Sequence, residues 1–312
     1  MRRKAAASAV AVLALATLVA GFGGGPGRAV ASAGKGGGGF PVSVSSGGGT
    51  VRIASRPSRI LSLSASATQM LYAVGAGRQV VGVDKYSTYP RGAPKTQFSG
   101  FETDAEDYLP LHPDLVVLAF DPGHLVAQLK DLHIPTLVMP APSTLTGAYG
   151  QIRELALATG HRAGGARSVA SVQGLLARTV AAAGSKAHGR SYYIELDPTL
   201  YTATSSTFIG ALLSRLRMRD VADGAGHGTN YPRLSAEFLV KANPDYVFLA
   251  DSVCCQQSAA TFAGRPGFGG LRAVRLHHVV AVNDSLASEW GPHSMEGFLQ
   301  VVSRAVTGRT VG

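Results

Sequence analysis

The chain has 312 residues, of which 46% are hydrophobic and 15% are charged, and its formal net charge is +10. This length and apolar content exclude a disordered chain and suffice for the cores of two ordinary domains. Beyond the first few residues, Lys and Arg form no run longer than two and are not interleaved with aromatic residues. The composition therefore predicts no nucleic-acid partner.

The N-terminus has the features of a secretory signal. Arg2, Arg3 and Lys4 precede a run dominated by Ala, Val and Leu from Ala5 to Ala20, which is shorter than a usual membrane span. We predict a signal peptide over residues 1–33 and export of a secreted or cell-surface protein by the general secretory route. An uncleaved N-terminal anchor is the alternative. No cysteine follows the apolar run, so the sequence predicts no cleaved lipoprotein anchor.

Residues 34–50 are rich in glycine and serine, a composition typical of a flexible linker. Globular sequence is expected to begin near Val51 and to divide into three parts. These are an N-terminal α/β lobe over 51–147, a helical bridge over 148–184 and a C-terminal α/β lobe over 185–312.

From Arg59, apolar runs of strand length alternate with segments of helical periodicity. Strands are predicted at RILSLS, QVVGVD, DLVVLAF and TLVMPA, and helices at TQMLYAVGAG, EDYLPLH and LVAQLKDLH. Such alternation with short connections predicts a parallel sheet covered by helices.

The pattern changes at Ala148. Two helical segments, AYGQIRELALATG and ARSVASVQGLLARTVAAAG, follow with no strand between them, and the second could span roughly 30 Å at about 1.5 Å per residue. From Ser191 the alternation resumes and ends in a helix at MEGFLQVVSRAV. The predicted fold is α/β, with two Rossmann-like lobes whose parallel central sheets are joined by one long bridging helix.

One segment occurs twice. EDYLPLHPDLVVLAF, starting at Glu106, is matched by EFLVKANPDYVFLAD, starting at Glu237, with Glu, Pro-Asp and Leu-Ala in the same register. A second pair occurs in the same order, because hydroxyl residues within Ser64–Thr68 precede one helical pattern and those within Thr204–Thr207 precede another. The two matches predict two similar lobes.

Together these segments resemble the helical-backbone substrate-binding proteins of ABC importers for cobalamin, haem and ferric siderophores, and most of all the cobalamin-binding members. The resemblance rests on RILSLSASATQMLYAVGAGRQVVGVDKYSTYP, EDYLPLHPDLVV, the helical bridge, LSAEFLVKANPDYVFL and EWGPHSMEGFLQVV, in that order. It implies a monomer that holds its ligand in a cleft between two lobes, has a hinge of small amplitude and delivers the ligand to an ABC permease. It implies no cofactor, although the ligand itself can contain cobalt or iron.

The resemblance also implies a ligand site. In cobalamin-binding relatives aromatic side chains from both lobes line the cleft, and the matching positions here are Tyr86, Phe101, Phe120, Tyr201 and Tyr231. These residues follow predicted strands, at the edge where open α/β sheets bind ligands. Flat rings provide a large contact area at a small entropic cost, which suits a macrocycle.

The motif before the last helix departs from the corrinoid-binding pattern. The positions of an acid and an arginine in that pattern correspond to Ser285 and Glu289, and the arginine that commonly follows Gly-Pro is replaced by His293. Ser285, Glu289, Trp290 and His293 are still candidate cleft residues. Either His293 or His124 of the first lobe could supply an imidazole to a haem or a metal chelate.

Glu106 and Glu237 occupy equivalent places in the repeat. The matching family positions dock onto the two halves of the permease, and a two-lobed protein can present matched charges to a symmetric partner. Alternatively, each carboxylate only favours the positive end of its helix, an effect worth about 0.3 to 1 kcal/mol.

Cys254 and Cys255 are the only cysteines. Their Cα atoms must lie about 3.8 Å apart across a trans peptide, or about 2.9 Å across a cis one, less than the usual disulfide distance. Because an exported protein meets oxidising surroundings, a disulfide between them is the leading interpretation. Two free thiols and a thiolate contact to a metal are the alternatives.

Catalytic motifs do not occur in the sequence, which has no G-x-S-x-G, no H-E-x-x-H and no pair of cysteine pairs. The absence of these motifs favours a protein without catalysis, and the resemblance implies capture of a bulky corrinoid, haem or ferric siderophore for an ABC importer. The alternatives are a tetrapyrrole metal chelatase that uses His293 and Glu289, and an extracellular scavenger or sensor without an importer.

Overall fold

The computed structural model describes residues 39–47, 49–101, 104–225 and 228–311. The predicted signal peptide, residues 1–33, lies outside them. The folded part begins earlier than predicted, because β1 (Val42–Ser46) pairs antiparallel with β2 (Gly49–Ile53). The linker prediction for residues 34–50 is therefore wrong in its second half. The segment VSVSS alternates, and its two valines are buried, so a strand forms despite the glycine-rich surroundings.

The N-terminal lobe contains a four-stranded parallel sheet. Its elements are β3 (Ile60–Leu63), α1 (Ala65–Val74), β4 (Val80–Val83), β5 (Leu115–Leu118), α2 (Leu125–Asp131) and β6 (Thr136–Val138). The strand order is β4-β3-β5-β6, as expected for the predicted alternation. The predicted helix EDYLPLH is a 3₁₀ helix over Glu106–Leu111. In an α-helix the ring of Pro110 would clash with the carbonyl group four residues earlier.

The C-terminal lobe contains a second four-stranded parallel sheet. Its strands are β7 (Ser191–Glu195), β8 (Arg219–Asp220), β9 (Tyr246–Leu249) and β10 (Val279–Ala281), in the order β10-β9-β7-β8. Its helices are α5 (Phe208–Arg215), α6 (Ala236–Ala242), α7 (Ala259–Ala263), α8 (Arg272–Arg275), α9 (Asp284–Ser288) and α10 (Pro292–Thr307). The predicted pair of α/β lobes is confirmed.

The repeated Pro-Asp dipeptides have the same structural role in both lobes. The Asp114 carboxylate accepts hydrogen bonds from the backbone N–H groups of Ser58 (2.7 Å) and Arg59 (2.8 Å), just before β3. The Asp245 carboxylate accepts one from the N–H of Ser191 (2.9 Å), at the start of β7. In each lobe this aspartate joins the start of one central strand to the start of its neighbour. The duplicated sequence thus corresponds to a duplicated structural unit.

The lobes are joined by two helices with no strand between them. Helix α3 spans Leu145–Ala158 and α4 spans Arg162–Ala187, with one non-helical residue at Gly184 (φ 44°, ψ −130°). The predicted long bridging helix is α4, which packs against α1, α3 and α10. Among the described helices, none has both the length and the apolar character needed to cross a membrane.

The hydrophobic core passes from lobe to lobe through this bridge. One cluster of buried apolar residues contains Val117 of the first sheet, Val172 of α4 and Phe248 of the second sheet. Smaller clusters cover the other face of each sheet. The main core therefore includes the bridging helix as well as both lobes.

Gly164 lies where α4 approaches α1. A Cβ atom on Gly164 would collide with the backbone carbonyl oxygen of Val74, whereas one on Gly174 would approach only the end of the Arg178 side chain, at 3.2 Å. We expect Gly164→Ala to lower the free energy of unfolding by about 1 to 3 kcal/mol. Gly174→Ala on the same helix should raise it by about 0.5 to 1 kcal/mol. Urea titrations measure both changes, and equal stability of the two variants would contradict this packing.

Candidate ligand-binding site

The predicted site residues lie mainly on loops that follow strands. Because both sheets are parallel, the strands of each lobe end at a common edge. The loops after β4 and β5 belong to the first lobe, and those after β7, β8, β9 and β10 belong to the second. Ligands of open α/β sheets bind beside this edge. These loops form the candidate site.

Three predicted aromatic residues contact one another on the N-terminal lobe. The ring centroids of Tyr86 and Phe101 are 6.1 Å apart in an edge-to-face arrangement, and those of Phe101 and Phe120 are 5.1 Å apart. The three side chains are 52%, 66% and 40% exposed. The Nζ atom of Lys85 lies 5.4 Å from the Tyr86 ring centroid. The cluster is an exposed aromatic surface with an adjacent cation.

Two further predicted aromatic residues lie on neighbouring segments of the C-terminal lobe. Tyr201 forms an antiparallel bridge with Arg233, and the next N–H, of Thr202, donates a hydrogen bond to the Pro232 carbonyl at 3.0 Å. This pairing brings the segment of Tyr231 beside that of Tyr201. The Tyr201 side chain is 44% exposed and the Tyr231 side chain is 53% exposed.

Tyr89 was missed by the sequence analysis. It follows Tyr86 in the same loop, and its ring stacks on the His293 imidazole with centroids 3.6 Å apart and planes at 3°. Every described Phe, Tyr or Trp side chain that is at least 40% exposed lies on the candidate-site loops. The loop segment KYSTYP contains a second aromatic residue besides Tyr86, and this pattern could have identified Tyr89.

A polar network joins the lobes beside these loops. The Gln69 Nε2 group of α1 donates hydrogen bonds to the Glu289 carboxylate and to Ser294 Oγ (2.8 Å), and the Ser294 N–H donates to Gln69 Oε1 (3.0 Å). Gln69 is buried. The sequence analysis did not identify it, although a glutamine inside the apolar helical pattern TQMLYAV was a usable signal.

Trp290 forms a second polar connection between the lobes. Its backbone N–H donates to Ser66 Oγ at 3.1 Å, and its indole N–H donates to Gln151 Oε1 at 2.8 Å. Glu289, Trp290 and His293 thus all contact residues of the first lobe or of α3. Contact of these three residues with a ligand stays a prediction.

The remaining predicted histidine and serine are placed differently. His124 is exposed at the start of α2, in a left-handed conformation (φ 63°). Ser285 is partly buried on α9. In the described part of the chain, no group of three or more His, Cys, Asp or Glu side chains is arranged to hold a metal ion.

One half-buried and one buried acid, Glu289 and Asp84, lie at the base of the candidate-site loops. Burial, with a smaller contribution from the nearby Asp84 carboxylate, raises the pKa of Glu289 to about 7. Burial also raises the pKa of Asp84, whose carboxylate accepts hydrogen bonds from the backbone N–H (3.1 Å) and hydroxyl (2.6 Å) of Ser87. These bonds shape the loop that carries Tyr86. Burial lowers the pKa of His293 and so favours its neutral imidazole.

The edge of the second lobe contains a buried ion pair. The Glu195 carboxylate at the end of β7 accepts two hydrogen bonds from the Arg265 guanidinium, at 2.6 and 2.7 Å. Burial, together with the neighbouring Glu195 carboxylate, raises the pKa of Asp251, just after β9, to about 7.

Cys254 and Cys255 follow Asp251 and form a disulfide, with Cα atoms 3.8 Å apart. The structure thus has the disulfide that was the leading interpretation.

The two predicted docking acids are exposed. Glu106 lies in the first turn of the 3₁₀ helix, and Glu237 lies in the first turn of α6. Hydrogen bonds from its own backbone N–H and from Ser235 lower the pKa of Glu237. Both positions suit either a partner contact or helix-end stabilisation.

Comparison with known proteins identifies the family. Residues 60–286 match the family described as periplasmic binding protein, and the chain belongs to that family. It is 30% identical over 261 residues to the uncharacterized ABC transporter substrate-binding lipoprotein YvrC of Bacillus subtilis, covering 79% of each chain. It is 28% identical over 255 residues to a cobalamin-binding protein of Halobacterium salinarum, covering 79% of this chain and 69% of the relative.

Solved structures support the same fold. The periplasmic heme-binding protein RhuT from Roseiflexus sp. RS-1, in its apo form, superposes with a TM-score of 0.70. The match covers 80% of this chain and 98% of that one, at 24% sequence identity. The resemblance inferred from the sequence is confirmed, and the relatives are substrate-binding proteins rather than enzymes.

Glu289 should make stability depend on pH. Its pKa is raised from 4.5 to about 7 in the folded protein. Between pH 4.5 and about pH 7, Glu289 is therefore protonated in the folded state but ionised in the unfolded state. The folded state is most favoured at low pH, and this contribution to stability is lost as the pH rises through about 7. We expect this group to lower the free energy of unfolding by on the order of 2 kcal/mol between pH 5 and pH 8. Asp220 and Asp251, whose pKa values are also raised to about 7, act in the same direction.

Urea titrations at both pH values of the wild type and of Glu289→Gln test this expectation. The variant should lose less stability between them than the wild type does. Glu237→Gln is the matched control, because hydrogen bonds lower the pKa of Glu237 and place its titration below this range. An unchanged difference between pH 5 and pH 8 in Glu289→Gln would refute the assignment.

Proposed function

We propose that this protein captures a bulky corrinoid, haem or ferric siderophore outside the cytoplasm and delivers it to an ABC importer, with a corrinoid as the favoured ligand. The observation that carries the proposal is the exposed aromatic surface on the candidate-site loops. Tyr86, Phe101 and Phe120 form a connected cluster on one lobe, and Tyr201 and Tyr231 lie together on the other.

The chemistry of these side chains suits a large macrocycle. Soluble monomers rarely leave contiguous aromatic surface exposed unless it binds something. Aromatic faces supply extensive apolar contact, and tyrosine hydroxyls add hydrogen bonds to the polar groups of a ligand. Cobalamin-binding proteins among the relatives favour a corrinoid.

Haem is a second candidate, favoured by His293. Its imidazole lies beside the aromatic loops, and its lowered pKa keeps it in the neutral form that coordinates metals. Neutral imidazole coordinates a metal through a ring nitrogen in the plane of the ring, so stacking of one face on Tyr89 is compatible with such a contact. A haem complex would then show a Soret band that shifts in His293→Ala and stays unchanged in His124→Ala.

The predicted signal peptide and the periplasmic binding protein family support export. The B. subtilis relative is a lipoprotein, whereas this chain has no cysteine before Cys254. The lipoprotein form of this relative conflicts with the expectation that the protein has no cleaved lipid anchor. We propose a secreted or surface-associated protein, with an uncleaved N-terminal anchor as the alternative.

Alanine variants at Phe101, Phe120, Tyr201 and Tyr231 should weaken ligand binding. Truncation of such aromatic anchors costs about 1 to 4 kcal/mol, which corresponds to roughly 5-fold to 1,000-fold in Kd. Cobalamin, haem and several ferric siderophores are first tested with the mature protein by absorbance and by quenching of Trp290, the only tryptophan. Calorimetry then measures each variant with the ligand that binds.

Leu132→Ala and Leu276→Ala are the controls, because both side chains are exposed and lie outside the candidate-site loops. Four variants with unchanged affinity would refute the assigned surface.

The double variant Glu106→Lys, Glu237→Lys tests delivery to the importer. If both acids dock onto the permease, ligand affinity and stability should stay close to those of the wild type, whereas uptake into permease-containing proteoliposomes should be lost. Asp131→Lys, another exposed acid-to-base change, should retain uptake. A folded double variant with undiminished uptake would contradict the docking role, and capture without any uptake by the wild type would favour a scavenger or sensor.

A further inference from the structure

A groove distinct from the aromatic loops lies on the bridging helix. Its volume is about 950 Å³, and its walls are α3, α4 and the end of α5. A second cavity of about 390 Å³ shares Val180, Arg215 and Arg217 with it and extends it to His188. None of the described residues assigned above to ligand binding or docking lines either cavity. The groove is therefore a separate candidate site.

The walls of the groove are basic. Arg153 of α3 lines it together with Arg215 and Arg217 at the end of α5, and no acidic side chain does so in the described ranges. All three arginines are exposed, and the ion pairs between described residues involve other arginines. Cations that line one cavity without acidic partners create a positive potential, which attracts an anion.

The floor of the groove is apolar, and one unpaired hydroxyl is buried in a residue that lines it. Leu145, Leu176 and Val180 contribute the apolar surface. Tyr149 also lines the groove, is only 7% exposed, and its hydroxyl has no hydrogen-bond partner among the described residues. A buried hydroxyl without a partner is unfavourable, so a ligand that accepts its hydrogen bond gains affinity. Burial raises the pKa of Tyr149, which keeps this group a donor.

We propose that the groove binds an organic phosphate. The planar guanidinium groups of arginine match phosphate oxygens with paired donors, and the Tyr149 hydroxyl adds another donor. The apolar floor would hold the organic part of the ligand. A free inorganic anion would leave this floor unused, whereas a phosphate ester uses both surfaces.

The position of the groove gives the proposed ligand a structural effect. Helix α3 packs against β1 of the N-terminal lobe, whereas α5 belongs to the C-terminal lobe. A phosphate held by Arg153 and by Arg215 or Arg217 therefore connects the lobes across α4. Both a soluble phosphate ester and the headgroup of an anionic phospholipid have this chemistry.

The test uses the mature protein with two probes. Phenyl phosphate, a soluble ester with an apolar part, is titrated by calorimetry, and phosphatidylglycerol vesicles are tested by co-sedimentation against phosphatidylcholine vesicles. The double variant Arg215→Gln, Arg217→Gln should weaken binding at least about tenfold, because it removes charge-assisted hydrogen bonds. The control Arg78→Gln, Arg304→Gln loses the same charge at exposed positions outside the groove and should bind like the wild type.

The variant Tyr149→Phe distinguishes a direct hydrogen bond between the Tyr149 hydroxyl and the phosphate from general attraction of an anion to the arginines. It should weaken binding by about 2- to 10-fold through loss of one hydrogen bond, while thermal stability is unchanged or higher because an unpaired buried hydroxyl is removed. Phenyl phosphate binding with these losses supports a soluble ester as the ligand. Binding to phosphatidylglycerol vesicles alone, with the same losses, supports a lipid headgroup. Binding to neither probe, or equal losses in the control pair, would overturn the proposal.

Discussion

The hydrophobic core that passes through α4 fixes the geometry on which the rest of the molecule depends. Val117, Val172 and Phe248 belong to one buried cluster, so the sheets cannot separate without exposing apolar surface that both lobes share with the bridging helix. The contact of Gln69 with Glu289 and Ser294 adds polar groups that are paired only in this arrangement. Wide closure about a hinge would disrupt both the shared core and these polar contacts. The structure therefore favours the small hinge motion implied by the family resemblance.

The two lobes use the same local construction for different loops. Asp114 and Asp245 each hold the start of one central strand beside its neighbour, and each follows a proline that ends the preceding helix. The edge where the strands end, from which the candidate-site loops extend, has no such aspartate contacts among those described above. Loops there differ in length and sequence between the lobes, so the candidate binding surface can vary while the frame is retained.

The elements of the fold could be predicted because their signals are local. Apolar runs identified the strands, and the hydroxyl caps at Ser64 and Thr207 mark the starts of α1 and α5 as expected. Strand β1 was missed because its alternating pattern is short and flanked by glycine. Residues 106–111 were predicted as a helix without its type, and they form a 3₁₀ helix because Pro110 would clash with an earlier carbonyl group in an α-helix.

The candidate site was predictable only where a family resemblance placed residues on particular loops. Gln69 and Glu289 are 220 positions apart in sequence, and no periodic pattern relates them. The stack of Tyr89 on His293 likewise depends on the relative position of the lobes. The groove residues Arg153 of α3 and Arg217, just after α5, are distant in sequence, so their common surface exists only in the folded protein. Local periodicity carries no information on such pairs.

Two acids, the buried Asp84 and the half-buried Glu289, explain how exposed aromatic rings can be held in position. Asp84 binds the backbone and hydroxyl of Ser87 in the loop that carries Tyr86 and Tyr89. Glu289, with its raised pKa, lies directly before Trp290 and bonds to the first lobe. Polar anchors at the base of a loop restrict its backbone, so less conformational entropy is lost when a ligand binds. In the proposed site, large rings would contribute contact area and these acids would fix the loops, so a bulky ligand would bind without extensive rearrangement of the frame.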